Sequence, residues 1–120
     1  MTDSKIETLL RCGIWMGDDK PVSWALTVKQ VNAILNELEQ TSVPILGGDV
    51  YEYENGYFKP AHMNWYSDPK FDEPESEFAI RSVDETREYL NSISKIAHKY
   101  MYALVLGKTR KGVAVDQPYF

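Results

Sequence analysis

A chain of 120 residues lies within the size range of one domain, and with 43% hydrophobic and 26% charged residues its composition is that of a folded chain. No apolar run approaches the roughly 18 residues that a membrane-spanning helix needs, the longest being Met101 to Leu106. The net charge of −5 is unevenly spread: residues 49–78 carry eight acids against Lys59 and Lys70. That distribution argues against nucleic acid as a partner, because neutralising phosphates needs clustered lysine and arginine.

Ser4-Lys-Ile-Glu7 reads as a capping box, and Ile6, Leu9 and Leu10 form an apolar stripe behind it, which predicts a short first helix ending near Gly13. Cys12 is the single cysteine, so no internal disulfide is possible; it is expected to be a small buried residue of a protein from a reducing compartment. The start of the chain has no basic, apolar and small-residue succession of a secretory signal, which points to the cytoplasm. Trp15 to Trp24 is rich in turn residues and is expected to be a loop pinned by its two tryptophans.

Thr27-Val-Lys-Gln30 is a second capping box, and Val28, Val31, Ile34, Leu35 and Leu38 recur at helical spacing to about Gln40. A strand follows at Val43 to Leu46, then a bulge or bend at Gly47-Gly48. Val50 to Tyr53 and Tyr57 to Pro60 flank Asn55-Gly56, a pair suited to the positive φ values of a tight hairpin turn. Asn64-Trp65-Tyr66 reads as a third short strand. Ser67 to Glu77, with two prolines and five carboxylates, is expected to be an exposed acidic loop.

A third capping box, Ser82-Val-Asp-Glu85, predicts a helix to about Ile96. Tyr100 to Leu106 reads as a buried strand, Gly107 to Gly112 as a basic turn, and Val113 to Val115 as a returning strand, with the last residues, Pro118 to Phe120, docking or fraying. The fold class is α+β in one domain over 1–120. We expect an antiparallel or mixed sheet of about five short strands, with two long helices and the short N-terminal one packed mainly on one face.

The usual anchors of catalysis are missing. There is no nucleophile elbow, phosphate-binding loop or dinucleotide fingerprint, and His62 and His98 lack metal-ligand spacing, so no catalytic, cofactor or metal residues are assigned. Gly47-Gly-Asp49 is similar to a triplet of diguanylate cyclases, but Val50-Tyr51 stands where those enzymes carry an acid and a phenylalanine. For Gly47, Gly48 and Asp49 a structural role is favoured, with Asp49 accepting hydrogen bonds from turn amides.

Read as one unit, Val43-Pro-Ile-Leu-Gly-Gly-Asp-Val-Tyr51, then Asn55-Gly56, then Asn64-Trp-Tyr-Ser-Asp68, then the helix with Arg87-Glu-Tyr-Leu90 resembles the bacterial polymorphic-toxin immunity family known as immunity protein 40. The resemblance implies a cytosolic protein that neutralises a toxin by binding it and is not an enzyme. The residues permit this on their own: Tyr51, Tyr53, Trp65 and Tyr66 supply rigid aromatic anchors, and Asp68, Asp72, Glu73, Glu75 and Glu77 an acidic rim, with Asp49 beside them. The partner is then a cognate toxin with a basic surface, and the chain is a monomer or weak homodimer. Packing of these aromatics in a core is the competing reading. Two other functions remain open: a small hydrolase or transferase with Asp49 and His62 in a cleft, and a self-associating adaptor that uses the hairpin edge.

Overall fold

The computed structural model describes residues 2–17, 24–110 and 113–118. The elements run α1 (Thr2–Leu10), β1 (Ile14–Trp15), β2 (Trp24–Ala25), α2 (Val28–Leu38), β3 (Ile45–Glu54), β4 (Tyr57–Pro60), β5 (Trp65–Tyr66), α3 (Glu75–Ser92), a 3-10 turn (Ala97–Lys99), β6 (Met101–Arg110) and β7 (Val113–Pro118). This is the expected α+β class, with antiparallel sheets throughout. The strands are more numerous than expected, because Trp15 and Trp24 do not merely bound a loop. They pair as β1 and β2 with rings edge to face 4.8 Å apart, while residues 18–23 lie outside the described ones.

In the main sheet β3 is the organising strand, with β6 along one edge and both β4 and β5 along the other; β6 in turn pairs with β7. Asn55 and Gly56 take φ values of 52° and 84°, giving the two-residue turn that sets Glu54 opposite Tyr57. Between Ile45 and Gly47 the β3–β6 register shifts, so the β-bulge falls at Leu46, one residue before the expected place, and Gly47 and Gly48 pair in regular register with Val105 and Leu104. Leu26 adds a further bridge to Tyr102, exchanging both backbone hydrogen bonds at 2.7 and 2.8 Å.

One sheet face carries Ile45, Val50, Tyr102, Leu104 and Leu106, all buried, and receives Val31, Ile34, Leu35 and Leu38 of α2 and Val83 and Leu90 of α3. The second capping box forms as expected: Thr27 Oγ1 accepts from the Gln30 N–H, and the Gln30 side chain accepts from the Thr27 N–H at 2.9 Å. α1 docks on α2 through Ile6 and Leu10, with Lys5 reaching Glu37 at 3.3 Å. Tyr102 is fully buried, and its hydroxyl donates to the Ala97 carbonyl at 2.8 Å. Its pKa is pushed up to about 12, first by burial and then by the Tyr89 and Tyr100 phenols.

Several boundaries differ from expectation. α1 starts at Thr2, so Ser4 lies within it. α3 starts at Glu75, a full two turns before the expected cap, because Pro74 is pre-set for a helix N-terminus and Glu75 and Glu77 favour the positive end of the helix dipole. Ser82 is therefore not a cap. It is buried inside α3, donating to the Ala79 carbonyl at 2.8 Å and accepting the Ile45 N–H at 2.9 Å. β6 extends through Arg110, where a turn was expected from Gly107, and residues 111–112 and 119–120 lie outside the described ones. Cys12 is exposed in the turn after α1, its thiol directed at the Thr8 carbonyl, since the helix stops before it can share the apolar stripe.

Candidate partner-binding surface

Strand alternation past the bulge divides β3 cleanly. Gly48 and Val50 face the helices; Asp49, Tyr51 and Tyr53 face away from them. Directly opposite residues of antiparallel strands share a face. Phe58 and Pro60 of β4, Met101, Ala103 and Val105 of β6 and Tyr66 of β5 therefore lie on the same face as Asp49. Tyr51 and Phe58 meet edge to face at 6.1 Å, and the Tyr53 ring tilts over Phe58 at 4.5 Å. Tyr66 is 74% exposed and Tyr53 42%, with Asp49 and Tyr51 half-buried between them.

Asp49 does not satisfy turn amides. Among the described residues its carboxylate has no hydrogen bond or ion pair, and burial raises its pKa above the ordinary value. A half-buried charge left without a partner costs stability. No hydrogen bond or ion pair joins Asp49 to the exposed His62, and the described residues hold no cluster of metal-ligating groups. The concavity of about 330 Å³ between α2 and α3 has His98 on its wall, but its Arg87 is committed to Glu39 at 2.6 Å and Asn36 at 2.8 Å.

Trp65 belongs to the core, which corrects its expected place among accessible anchors. It is 8% exposed, its indole N–H donates to Thr86 Oγ1 at 3.1 Å, and its ring stacks on Tyr89 at 4.7 Å. The reason is Gly48. A β-carbon there would run into the indole, so only glycine lets the ring lie flat across the strand.

The acidic segment is more ordered than a solvated loop. Arg81, on α3, holds the Glu73 carboxylate with two nitrogens at 2.9 and 2.8 Å, and also donates to the Asp68 carbonyl. Its third nitrogen reaches Glu85 at 2.8 Å, and Glu85 accepts the Ser67 hydroxyl at 2.6 Å. The guanidinium also sits 5.2 Å over the Phe78 ring. Glu73 is thus spent inside the protein. Asp68 and Asp72 are exposed in the loop, whereas Glu75 and Glu77 stand on the first turn of α3 rather than in the loop.

The hydrogen bonds from Arg81 and from the Lys70 N–H hold the pKa of Glu73 down at about 2. A carboxyl lowered on folding contributes stability above its unfolded value, and that contribution is lost as pH falls through the folded one. The loop is expected to stay clamped at pH 4 and to release towards pH 2. Carbon-detected titration of the Glu73 carboxyl checks this, and a midpoint above 4 contradicts it. Burial by itself would raise Glu85, but the bonds from Ser67 and Arg81 outweigh it and leave Glu85 lowered.

Sequence patterns alone do not single out Arg81, Glu85 and Phe71. Arg81 and Glu85 share a helix face at four-residue spacing, a signal visible in the sequence, but their reach to residues 67–73 depends on where the loop returns. No described helix is long and apolar enough to cross a membrane. No curated protein and no solved structure matches the chain significantly. The family model described as immunity protein 40 matches residues 9–106, which take in the whole non-helical sheet face up to β6 and the clamped loop. The chain therefore belongs to the immunity protein 40 family.

Proposed function

We propose that this chain neutralises a cognate polymorphic toxin in the cytosol by binding it one to one, without chemistry of its own. The family is that of immunity proteins, which gives a toxin as the partner. The observation that carries the binding mode is the sheet face turned away from the helices, where Tyr51, Tyr53 and Tyr66 share a face with the unpartnered carboxylate of Asp49. Tyrosines offer a large contact area at small entropic cost, and a charge already partly stripped of water is ready for an opposite charge. Asp68, Asp72, Glu75 and Glu77 supply a negative rim that steers a basic toxin surface towards this face.

Purified chain titrated against the toxin encoded beside it should abolish toxin activity at molar equivalence and leave the excess toxin active below it. Full inhibition by a trace of chain would mean turnover and would sink the reading. The double change Asp68→Lys and Asp72→Lys should slow association about tenfold at low salt and flatten its salt dependence, with dissociation little altered. Stopped-flow association at two ionic strengths decides; an unchanged rate removes the acidic rim from the mechanism.

A further inference from the structure

The loop between β5 and α3 carries the most exposed large apolar side chain among the described residues: Phe71 is 95% exposed. A ring of that size gains from any apolar cover, so its full display calls for a physical reason. The backbone supplies one. Lys70 and Glu73 close a turn around Phe71, with the Glu73 N–H donating to the Lys70 carbonyl at 3.0 Å and Glu73 Oε1 accepting the Lys70 N–H at 2.9 Å. Asp72, next to the ring, holds a left-handed φ of 62°. Arg81 ties this turn to α3 through the Glu73 carboxylate, holds the incoming chain through the Asp68 carbonyl, and is itself braced by Glu85. The ring therefore stands on a rigid mount, which is the arrangement that lowers the ordering cost of binding.

We propose that Phe71, presented on this Arg81-clamped turn, is an anchor that inserts into an apolar pocket of the toxin bordered by basic side chains. Charge complementarity selects that occupant. Asp72, adjacent to Phe71 in the chain, and Asp68, on the same loop, are exposed and have no ion pair among the described residues, while the charge of Glu73 is cancelled internally. A second copy of this chain would bring the same carboxylates against each other, a like-charge contact that opposes self-association through this loop. The inference rests on the reading of the chain as a toxin-binding inhibitor and names the residue on which that binding turns. Arg81 acts through Phe71 as a positioning residue.

The test measures affinity and dissociation rate for the inactivated toxin domain encoded beside this chain, against wild type, Phe71→Ala, Tyr53→Ala, Arg81→Ala and the Phe71→Ala/Arg81→Ala pair. Phe71→Ala should weaken binding at least about thirtyfold, mainly through faster dissociation, with an unchanged melting temperature because the ring is nearly free of intramolecular cover. Arg81→Ala should weaken binding less, and adding it to Phe71→Ala should cost little more, since a loosened mount is of no consequence without the ring. Phe71→Ala binding within threefold of wild type, while Tyr53→Ala weakens the complex, overturns the anchor and leaves the inhibitor reading standing. Additive losses in the pair overturn the positioning role of Arg81. Failure of the wild-type chain to bind the toxin at all overturns both proposals.

Discussion

Replacing Trp65 by alanine is expected to cost about 3–5 kcal/mol of folding stability, close to the whole reserve of a marginally stable domain. The indole joins β5, β3 and α3, through its contact across Gly48, its bond to Thr86 and its stack on Tyr89. Removing it leaves a cavity that neither a two-residue strand nor a helix tethered at Ser82 can close by moving. Thr86 itself is not orphaned, because its hydroxyl still donates to the Ser82 carbonyl at 2.9 Å, so the loss is one of packing. Gly48→Ala approaches the same contact from the other side. The added methyl meets a ring that its bond and stack hold in place, and overpacking of this kind costs about 1–3 kcal/mol. The two changes should not add. Once the indole is gone the methyl has room, so the double variant should be more stable than the sum of the singles by about 1 kcal/mol or more. Urea denaturation of the four proteins checks this, and strict additivity would show that Gly48 and Trp65 do not share the contact.

Asp49→Asn is expected to weaken toxin binding at least about thirtyfold while leaving the fold as stable as before or more so at pH 7. The two effects have one origin. Burial without a partner raises the folded-state pKa of Asp49. The folded protein therefore holds the proton more readily than the unfolded chain, and the ionised carboxylate works against stability above the unfolded value, a penalty relieved as pH falls. Asparagine has the same shape and removes that penalty. A toxin cation seated against Asp49 would instead be left buried and unpaired, which is costly. Melting temperatures at pH 7 and at pH 3, with titration calorimetry against the toxin, separate the two effects. A variant that is destabilised at pH 7 would mean that Asp49 has a structural partner, and one that binds with undiminished affinity would mean that no cation is met there.

Together these two variants separate the face that holds the molecule together from the face proposed to meet the toxin. The division follows the pleat. Gly48 and Val50 build the core, whereas Asp49, Tyr51 and Tyr53 stand on the other side of the same strand. Phe71 and Asp72 lie outside this sheet, on a turn fixed by α3, and Glu75 and Glu77 on the first turn of α3 itself.

What the amino-acid sequence determined on its own was local. Thr27 to Gln30 specified the start of α2 and Asn55-Gly56 the hairpin, because each depends on backbone conformation and hydrogen bonds within a few residues, whereas the bulge expected at Gly47-Gly48 falls one residue earlier, at Leu46. The succession of these signals was enough for the α+β class, and the central motifs carried the resemblance that the family match over residues 9–106 bears out. Tertiary structure alone decided the rest. Strand alternation leaves two faces equivalent until helices cover one of them, so only packing could send Trp65 inward and leave Asp49 without a partner. Ser82 looked like a cap because its neighbours satisfy a local pattern, yet Pro74 had already begun the helix, and Ser82 bonds across 37 residues to Ile45. The clamp that turns an acidic stretch into a mount for Phe71 joins residues 8 and 13 positions apart, and a guanidinium reaches both only after α3 has folded back against the sheet.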